Sequence, residues 1–219
     1  SPCAAADFFK EKPHEKDIKE VKEKFKLPEK YLLAVGTLEP RKNFNNLIKS
    51  FVIVKRKFPE YKLIIVGKKG WKYQEIERSI KEYKLENDVI FPGYITNQEL
   101  QIVYHLAALF LFPSLYEGFG IPPLEAMSSG CPVISSNIAS LPEVIGDAGL
   151  LIDPRNAYKI ADATISLLEN EQIKKIGHHL KYDAHIFANH GITIQGWYFD
   201  TMLASYVLNA AATRHGMDD

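Results

Sequence analysis

The chain has 219 residues, 46% of them apolar and 25% charged, with 27 basic and 27 acidic side chains. That length suits one α/β domain, alone or with an appendage, and is enough to bury a core without disulfides or metal. The composition excludes collagen-like, mucin-like and fully disordered chains, the even charge gives no reason to expect a nucleic-acid-coating protein, and no apolar run reaches the roughly 18 residues of a membrane span.

Ser1-Pro2-Cys3-Ala4 lacks the basic and apolar stretches of a signal peptide. Cys3 and Cys131, the two cysteines, lie far apart without metal-ligand spacing. Both facts point to a reducing, cytoplasmic setting and no metal site.

Residues 10–30 are dominated by Lys and Glu, with Ile18, Val21 and Phe25 as one helical stripe. The pattern predicts a solvated helix leading into the domain. Strand-length apolar runs then recur at 31–36 (YLLAVG), 62–67 (KLIIVG), 89–93 (VIFPG), 109–114 (LFLFPS), 132–137 (PVISSN) and 149–153 (GLLID). Most are continuous rather than alternating, as strands buried on both faces read. Between the first two, 43–58 places Phe44, Leu47, Ile48 and Phe51 at helical spacing. Between the third and fourth, Thr96-Asn97-Gln98-Glu99 forms a capping box that opens a helix with Leu100, Val103, Tyr104 and Ala107 on its apolar face. Strand alternating with amphipathic helix predicts a Rossmann-like, doubly wound parallel sheet of about six strands. Ligands of such sheets bind beyond the carboxyl ends of the strands, so the loops there are where chemistry is sought.

The first strand runs into Gly36-Thr37-Leu38-Glu39-Pro40-Arg41-Lys42-Asn43. One forked cation and one point charge at that edge suit a diphosphate, although a surface basic pair is the competing reading. The loop Gly67-Lys68-Lys69-Gly70 could border a nucleotide, with solvated lysines as the favoured alternative. The densest cluster is Ser114-Leu115-Tyr116-Glu117-Gly118-Phe119-Gly120-Ile121-Pro122-Pro123-Leu124-Glu125-Ala126, which leaves a strand, crosses two glycines and enters a helix near a proline. A helix start of that kind offers free N–H donors to an anion. Carboxylates such as Glu117 and Glu125 would repel phosphate, so their partners there are the hydroxyls of a ribose or sugar. An ordinary strand–loop–helix junction with solvent-facing acids remains open on composition alone.

The stretches 35–43 (VGTLEPRKN), Gly93-Tyr94, 117–125 (EGFGIPPLE) and 130–135 (GCPVIS) resemble glycosyltransferase family 4, retaining enzymes of the two-domain GT-B architecture. The resemblance covers about residues 7–177 and concerns the carboxyl-terminal, donor-binding domain; the acceptor-binding domain is not matched. It implies that Arg41 and Lys42 hold the donor diphosphate and offset the leaving-group charge. It implies that Glu117 bonds sugar hydroxyls and that Phe119, Gly120 and Ile121 offer backbone N–H groups. Glu125 would accept from the ribose, and Gly93 and Tyr94 would meet the nucleobase. Gly36 is the strand-end glycine of the pattern; many members follow it with Arg, where Thr37 stands here. The implied ligand is a nucleotide-sugar, with GDP-mannose weakly favoured over a UDP-sugar by the similarity to a mannosyltransferase-like subgroup. No metal or cofactor is implied.

Vocabulary changes near residue 180. Residues 181–219 contain only Lys181 and Arg214 as bases, against Asp183, Asp200, Asp218 and Asp219, and five of the seven histidines fall at or beyond His178. The stretch 177–218 resembles part of the 3′–5′ exonuclease domain of bacterial DNA polymerase I, with Asp183 matching one metal-binding aspartate. A two-metal site needs several converging carboxylates, so no exonuclease activity is expected. The expected organisation is a donor-binding domain over 1–179 and an exonuclease-like, helical fragment over 180–219, with helices near 182–190 and 200–212. A chimera lacking an acceptor domain would bind donor without transferring sugar. The alternative is a folded, non-catalytic chimera with a blocked site, dimerising through an exposed face or its tail.

Overall fold

The structure, a computed structural model, describes residues 9–170. Six strands, β1 (Tyr31–Val35), β2 (Lys62–Val66), β3 (Val89–Ile90), β4 (Leu109–Phe112), β5 (Val133–Ser136) and β6 (Leu150–Ile152), form one sheet in the order β3-β2-β1-β4-β5-β6. Every pairing is parallel. The predicted Rossmann-like α/β sheet is therefore present, with all six runs as strands. The strands stop earlier than the runs because their last residues leave the ladder. β4 ends before Pro113, which has no N–H to donate, and β3 is held to two residues ahead of Pro92 and Gly93.

Helices α1 (Glu15–Phe25), α2 (Phe44–Lys57), α3 (Tyr73–Glu82), α4 (Asn97–Leu106), α5 (Ile121–Ser128), α6 (Leu141–Ile145) and α7 (Ala157–Glu169) cover the sheet. Side chains alternate along each strand. Leu32, Leu63, Ile65, Leu109 and Leu111 enter one core with Leu47 and Phe51 of α2, Ile80 of α3 and Ile160 of α7. Tyr31, Leu33, Ile64, Val66, Phe110 and Phe112 enter the other, with Val103 and Tyr104 of α4 and Leu141 of α6. Two covered faces explain why the strands read as unbroken apolar runs.

The capping box of α4 is formed. Thr96 Oγ1 accepts from the Glu99 N–H at 3.3 Å, and Glu99 Oε2 accepts from the Thr96 N–H at 2.9 Å. Glu99 also pairs with Lys24 of α1. Helix α1 is thus packed rather than merely solvated, which corrects the expectation for residues 10–30. Val21 is buried in the second core, and Ile18 and Phe25 lie against it. The charged face dominated the composition, but three apolar residues on one stripe suffice to dock a helix; a buried Val contributes roughly 1.5 kcal/mol.

The strand order fixes where a ligand can sit. From β1 the chain winds outward through β2 and β3, then returns to β4 on the other side of β1. Loops leaving β1 and β4 diverge there and leave a crevice at the carboxyl edge. The junction near residue 180 and the helices expected beyond it lie outside the described residues.

Candidate functional site

The crevice is walled by the loops after β1 and β4. Gly36 directly follows β1 with φ +156°, and a Cβ built on it would lie 3.1 Å from Lys42 Cε. Its lack of a side chain lets the Lys42 stem cross the strand end. Pro40–Lys42 forms a 3₁₀ turn, closed by the Asn43 N–H donating to the Pro40 carbonyl at 3.0 Å. Asn43 is left-handed (φ 61°) and does not cap α2 with its side chain. Its Nδ2 instead donates to the carbonyls of Pro113 (3.0 Å) and Pro154 (2.7 Å), tying together the loops after β1, β4 and β6. The Leu115 N–H donates to the Arg41 carbonyl at 2.7 Å, which completes the clamp.

The loop after β4 is held from β5 and α6. Ser136 Oγ donates to the Ser114 carbonyl at 2.6 Å and Ser140 Oγ to the Glu117 carbonyl at 3.1 Å. Gly120 precedes α5 with φ +83°, and a Cβ there would lie 2.6 Å from Leu141 Cδ2. Phe119 and Ile121 expose their side chains on either side of it. Pro122 and Pro123 sit in the first turn of α5, where an N–H would have no helical partner.

Three of the predicted residues meet directly. Lys42 Nζ lies 2.5 Å from Glu117 Oε1, and Arg41 Nη1 lies 3.0 Å from Glu117 Oε2. Arg41 Nε pairs with Glu39 Oε1 at 2.5 Å. Lys42 and Glu117 are only 8% and 9% exposed, whereas the Arg41 side chain is 45% exposed. The Phe112 ring lies beneath the ammonium, with Nζ 4.8 Å from its centroid. Glu117 is therefore the counter-ion of both cations, one on each of its oxygens. Two cations, Arg41 and Lys42, and two carboxylates, Glu39 and Glu117, balance, so the cluster as it stands carries no net charge.

Glu125 stands in α5, on the far side of Gly120 from Glu117, and is half-buried. The Tyr104 hydroxyl donates to its Oε2 at 3.2 Å. Burial raises the Glu125 pKa above the usual carboxylate range, and the Tyr104 hydrogen bond opposes that rise. Gly93 (φ +84°) and Tyr94 form an exposed turn after β3; Tyr94 is 80% exposed. β3 is two places from β1, roughly 10 Å across the sheet. The structure puts this turn on the same edge as the ion cluster and shows no hydrogen bond between them.

The lysines of loop 67–70 are exposed, as the favoured alternative expected, and the loop joins the site through its backbone. The Leu38 N–H donates to the Lys68 carbonyl at 2.9 Å, and Lys69 pairs with Glu77 of α3 at 3.2 Å. Other residues with a part here carried no local signal in the sequence: Glu39 on Arg41, the Asn43 clamp, the serines at 136 and 140, and Tyr104. Asn43 was legible only as a helix start, because its partners lie 70 and 111 positions away.

Ser114, the last residue before the glycine-containing turn, is buried, and its hydroxyl is the buried side-chain polar atom without a hydrogen-bond partner among the described residues. It lines a hollow together with Val35, Lys42 and Phe112. An unpaired buried hydroxyl costs stability. Ser114→Ala is expected to stabilise the fold by about 1 kcal/mol in urea unfolding; a lower midpoint would show that the hydroxyl has a structural partner. Among the described residues no group of three or more His, Cys, Asp or Glu is placed to hold a metal ion, and no helix is long and apolar enough to cross a membrane.

The pattern of the family described as glycosyl transferases group 1 matches residues 15–185. The chain is 38% identical over 147 residues to O-antigen chain mannosyltransferase B of Escherichia coli, covering 67% of this chain and 39% of that protein. It is 36% identical over 157 residues to the serotype-specific mannosyltransferase WbdA of Escherichia coli, covering 70% of this chain and 19% of that protein. The chain thus spans less than half the length of these relatives. Among solved structures it is similar to the C-terminal domain of the glycosyl transferase group 1 family protein LpcC from Francisella tularensis, with TM-score 0.64, 28% identity, and coverage of 75% of this chain and 89% of that one. HepE of Anabaena, solved with UDP and glucose, shares the fold at TM-score 0.68 and 23% identity, over 78% of this chain and 47% of that one.

Proposed function

The chain belongs to the glycosyl transferases group 1 family, and on that footing we propose that it is the donor-binding half of a retaining sugar transferase. The observation that carries the reading is the buried Lys42–Glu117 pair with Arg41 at its rim, set at the switch point of a parallel sheet beside the start of α5. Arg41 and Lys42 take the donor diphosphate and stabilise the charge that grows on it as the sugar leaves. Glu117, released from them, accepts from the sugar hydroxyls. The backbone of Phe119, Gly120 and Ile121 faces sugar and phosphate, Glu125 takes the ribose, and Gly93-Tyr94 borders the base. The two mannosyltransferases of Escherichia coli support a mannosyl donor, GDP-mannose ahead of a UDP-sugar.

Transfer needs an acceptor held in near-attack geometry. In our reading this chain on its own binds donor and turns it over little, a setting we take to be cytoplasmic. We retain residues 180–219 as an exonuclease-like fragment on sequence resemblance and compositional change alone; the family match, which runs to residue 185, overlaps its first residues. A blocked, non-catalytic chimera that pairs through an exposed face is the second reading, favoured by the exposed Tyr116, Phe119 and Ile121 at the crevice. Calorimetric titration with GDP, UDP and GDP-mannose separates the two. Saturable binding, weakened at least tenfold by Glu125→Ala, is the expected result. A folded sample that takes up none of the three contradicts the donor-site reading.

A further inference from the structure

We propose that Tyr104 is the positioning residue for Glu125: its phenol holds one carboxylate oxygen so that the other is presented to the ribose hydroxyls. The proposal rests on the reading of Glu125 as the ribose acceptor. Tyr104 lies in α4, not in any loop of the crevice, and is fully buried. Its ring meets Phe9 edge-on (centroids 5.9 Å, 77°) and Phe110 likewise (5.2 Å, 74°), which fixes the direction of the hydroxyl. From there it reaches across to α5 and donates to Glu125 Oε2 at 3.2 Å. No donor is found on Oε1 among the described residues. Glu125 is half-buried and its Oε1 is not among the buried polar atoms without a partner, so this oxygen is open to a donor from solvent or from a ligand.

The polarity of the bond is set by its surroundings. Burial first, and the adjacent carboxylate second, push the Tyr104 pKa well above its ordinary value, so the phenol keeps its proton and acts as the donor. The carboxylate can then only accept from it. Ribose hydroxyls, which can donate, match Oε1, whereas phosphate oxygens do not. A core tyrosine would in this way fix which atom of the site residue meets the ligand, and at what angle.

The test is ribose discrimination, which a merely structural role would not move. GDP and UDP are each titrated against their 2′,3′-dideoxy counterparts, with wild type, Glu125→Ala, Glu125→Gln and Tyr104→Phe. Wild type is expected to favour the ribonucleotide by roughly tenfold, and Glu125→Ala to erase the preference. Tyr104→Phe should reduce it at least threefold while leaving dideoxynucleotide affinity unchanged. Full preference in Tyr104→Phe overturns the proposal. Glu125→Gln decides the matter should Tyr104→Phe not fold, read with the 2′,3′-di-O-methyl nucleotide, whose ether oxygens accept and cannot donate. If the phenol orients the group, the amide oxygen is held by Tyr104, the NH₂ faces the ribose and donates to the ethers, and Glu125→Gln favours the methylated nucleotide over the dideoxy one. If it does not, the amide oxygen faces the ribose, the ethers offer it no donor, and no such preference appears, which overturns the proposal. A wild type without ribose preference, or a Glu125→Ala that keeps it, would instead overturn the underlying site reading.

Discussion

Glu117→Ala is expected to lower stability by about 3 kcal/mol and to erase the preference for a nucleotide-sugar over its nucleoside diphosphate. Lys42 and Glu117 are buried side by side, with Nζ 2.5 Å from Oε1. Removing the carboxylate leaves the buried ammonium over the Phe112 ring, 4.8 Å from its centroid, with no carboxylate beside it. A ring face contributes about 2 kcal/mol at best when desolvated, less than an uncompensated buried charge costs. Arg41 suffers less, since it is nearly half exposed and still holds Glu39. Replacing both members, Lys42→Met with Glu117→Leu, removes the stranded charge. The pair of substitutions should therefore be more stable than Glu117→Ala alone, while weakening diphosphate binding through the loss of the Lys42 ammonium. Urea unfolding of Lys42→Met, Glu117→Leu and the double gives the coupling energy directly. A Glu117→Ala midpoint equal to wild type would show that the pair is not desolvated as the geometry requires.

The second large effect is steric. Gly67→Ala places a Cβ 1.9 Å from the Gly36 carbonyl oxygen and 2.7 Å from the Gly36 carbonyl carbon, both backbone atoms that cannot swing aside. The ends of β1 and β2 must part. That strains the hydrogen bonds from the Gly36 N–H to the Val66 carbonyl (2.9 Å) and from the Leu38 N–H to the Lys68 carbonyl (2.9 Å). Overpacking of this kind costs about 3 kcal/mol. Displacement of Gly36 also moves the surface on which the Lys42 stem rests, so binding should fall by more than stability alone explains. Gly118→Ala is the matched control: nothing lies within 4 Å of its Cβ and its φ is not positive, so its stability should stay within about 0.5 kcal/mol of wild type. Thermal unfolding of both variants checks this, and a stable Gly67→Ala would mean that the strand ends separate more easily than a closely bonded sheet allows.

The glycine comparison shows what could and could not be read in the sequence. Gly67 appeared only as the end of a strand and the start of a lysine loop. Its necessity comes from how close β1 and β2 approach, a distance that no local pattern encodes. Gly120 was legible as part of a helix entry, but its contact with Leu141 depends on where α6 packs. Similarly, the stripe of Ile18, Val21 and Phe25 was visible, while its docking against the second core was not, because periodicity reports a face and not its partner.

By itself the sequence determined the six strands, the helix of 43–58, the capping box at Thr96 and Glu99, and the loops that carry Arg41, Lys42, Glu117 and Glu125. These are local features: runs, periods, caps and glycine-bounded turns, each set by backbone hydrogen bonding and by which residues must leave water. Only the tertiary structure decided that Glu117 neutralises Arg41 and Lys42, that Asn43 clamps three loops, and that Tyr104 reaches Glu125. Those partners stand 21 to 111 residues apart. They meet because β4 pairs with β1 instead of β3, and strand order is chosen by burial across both faces of the whole sheet.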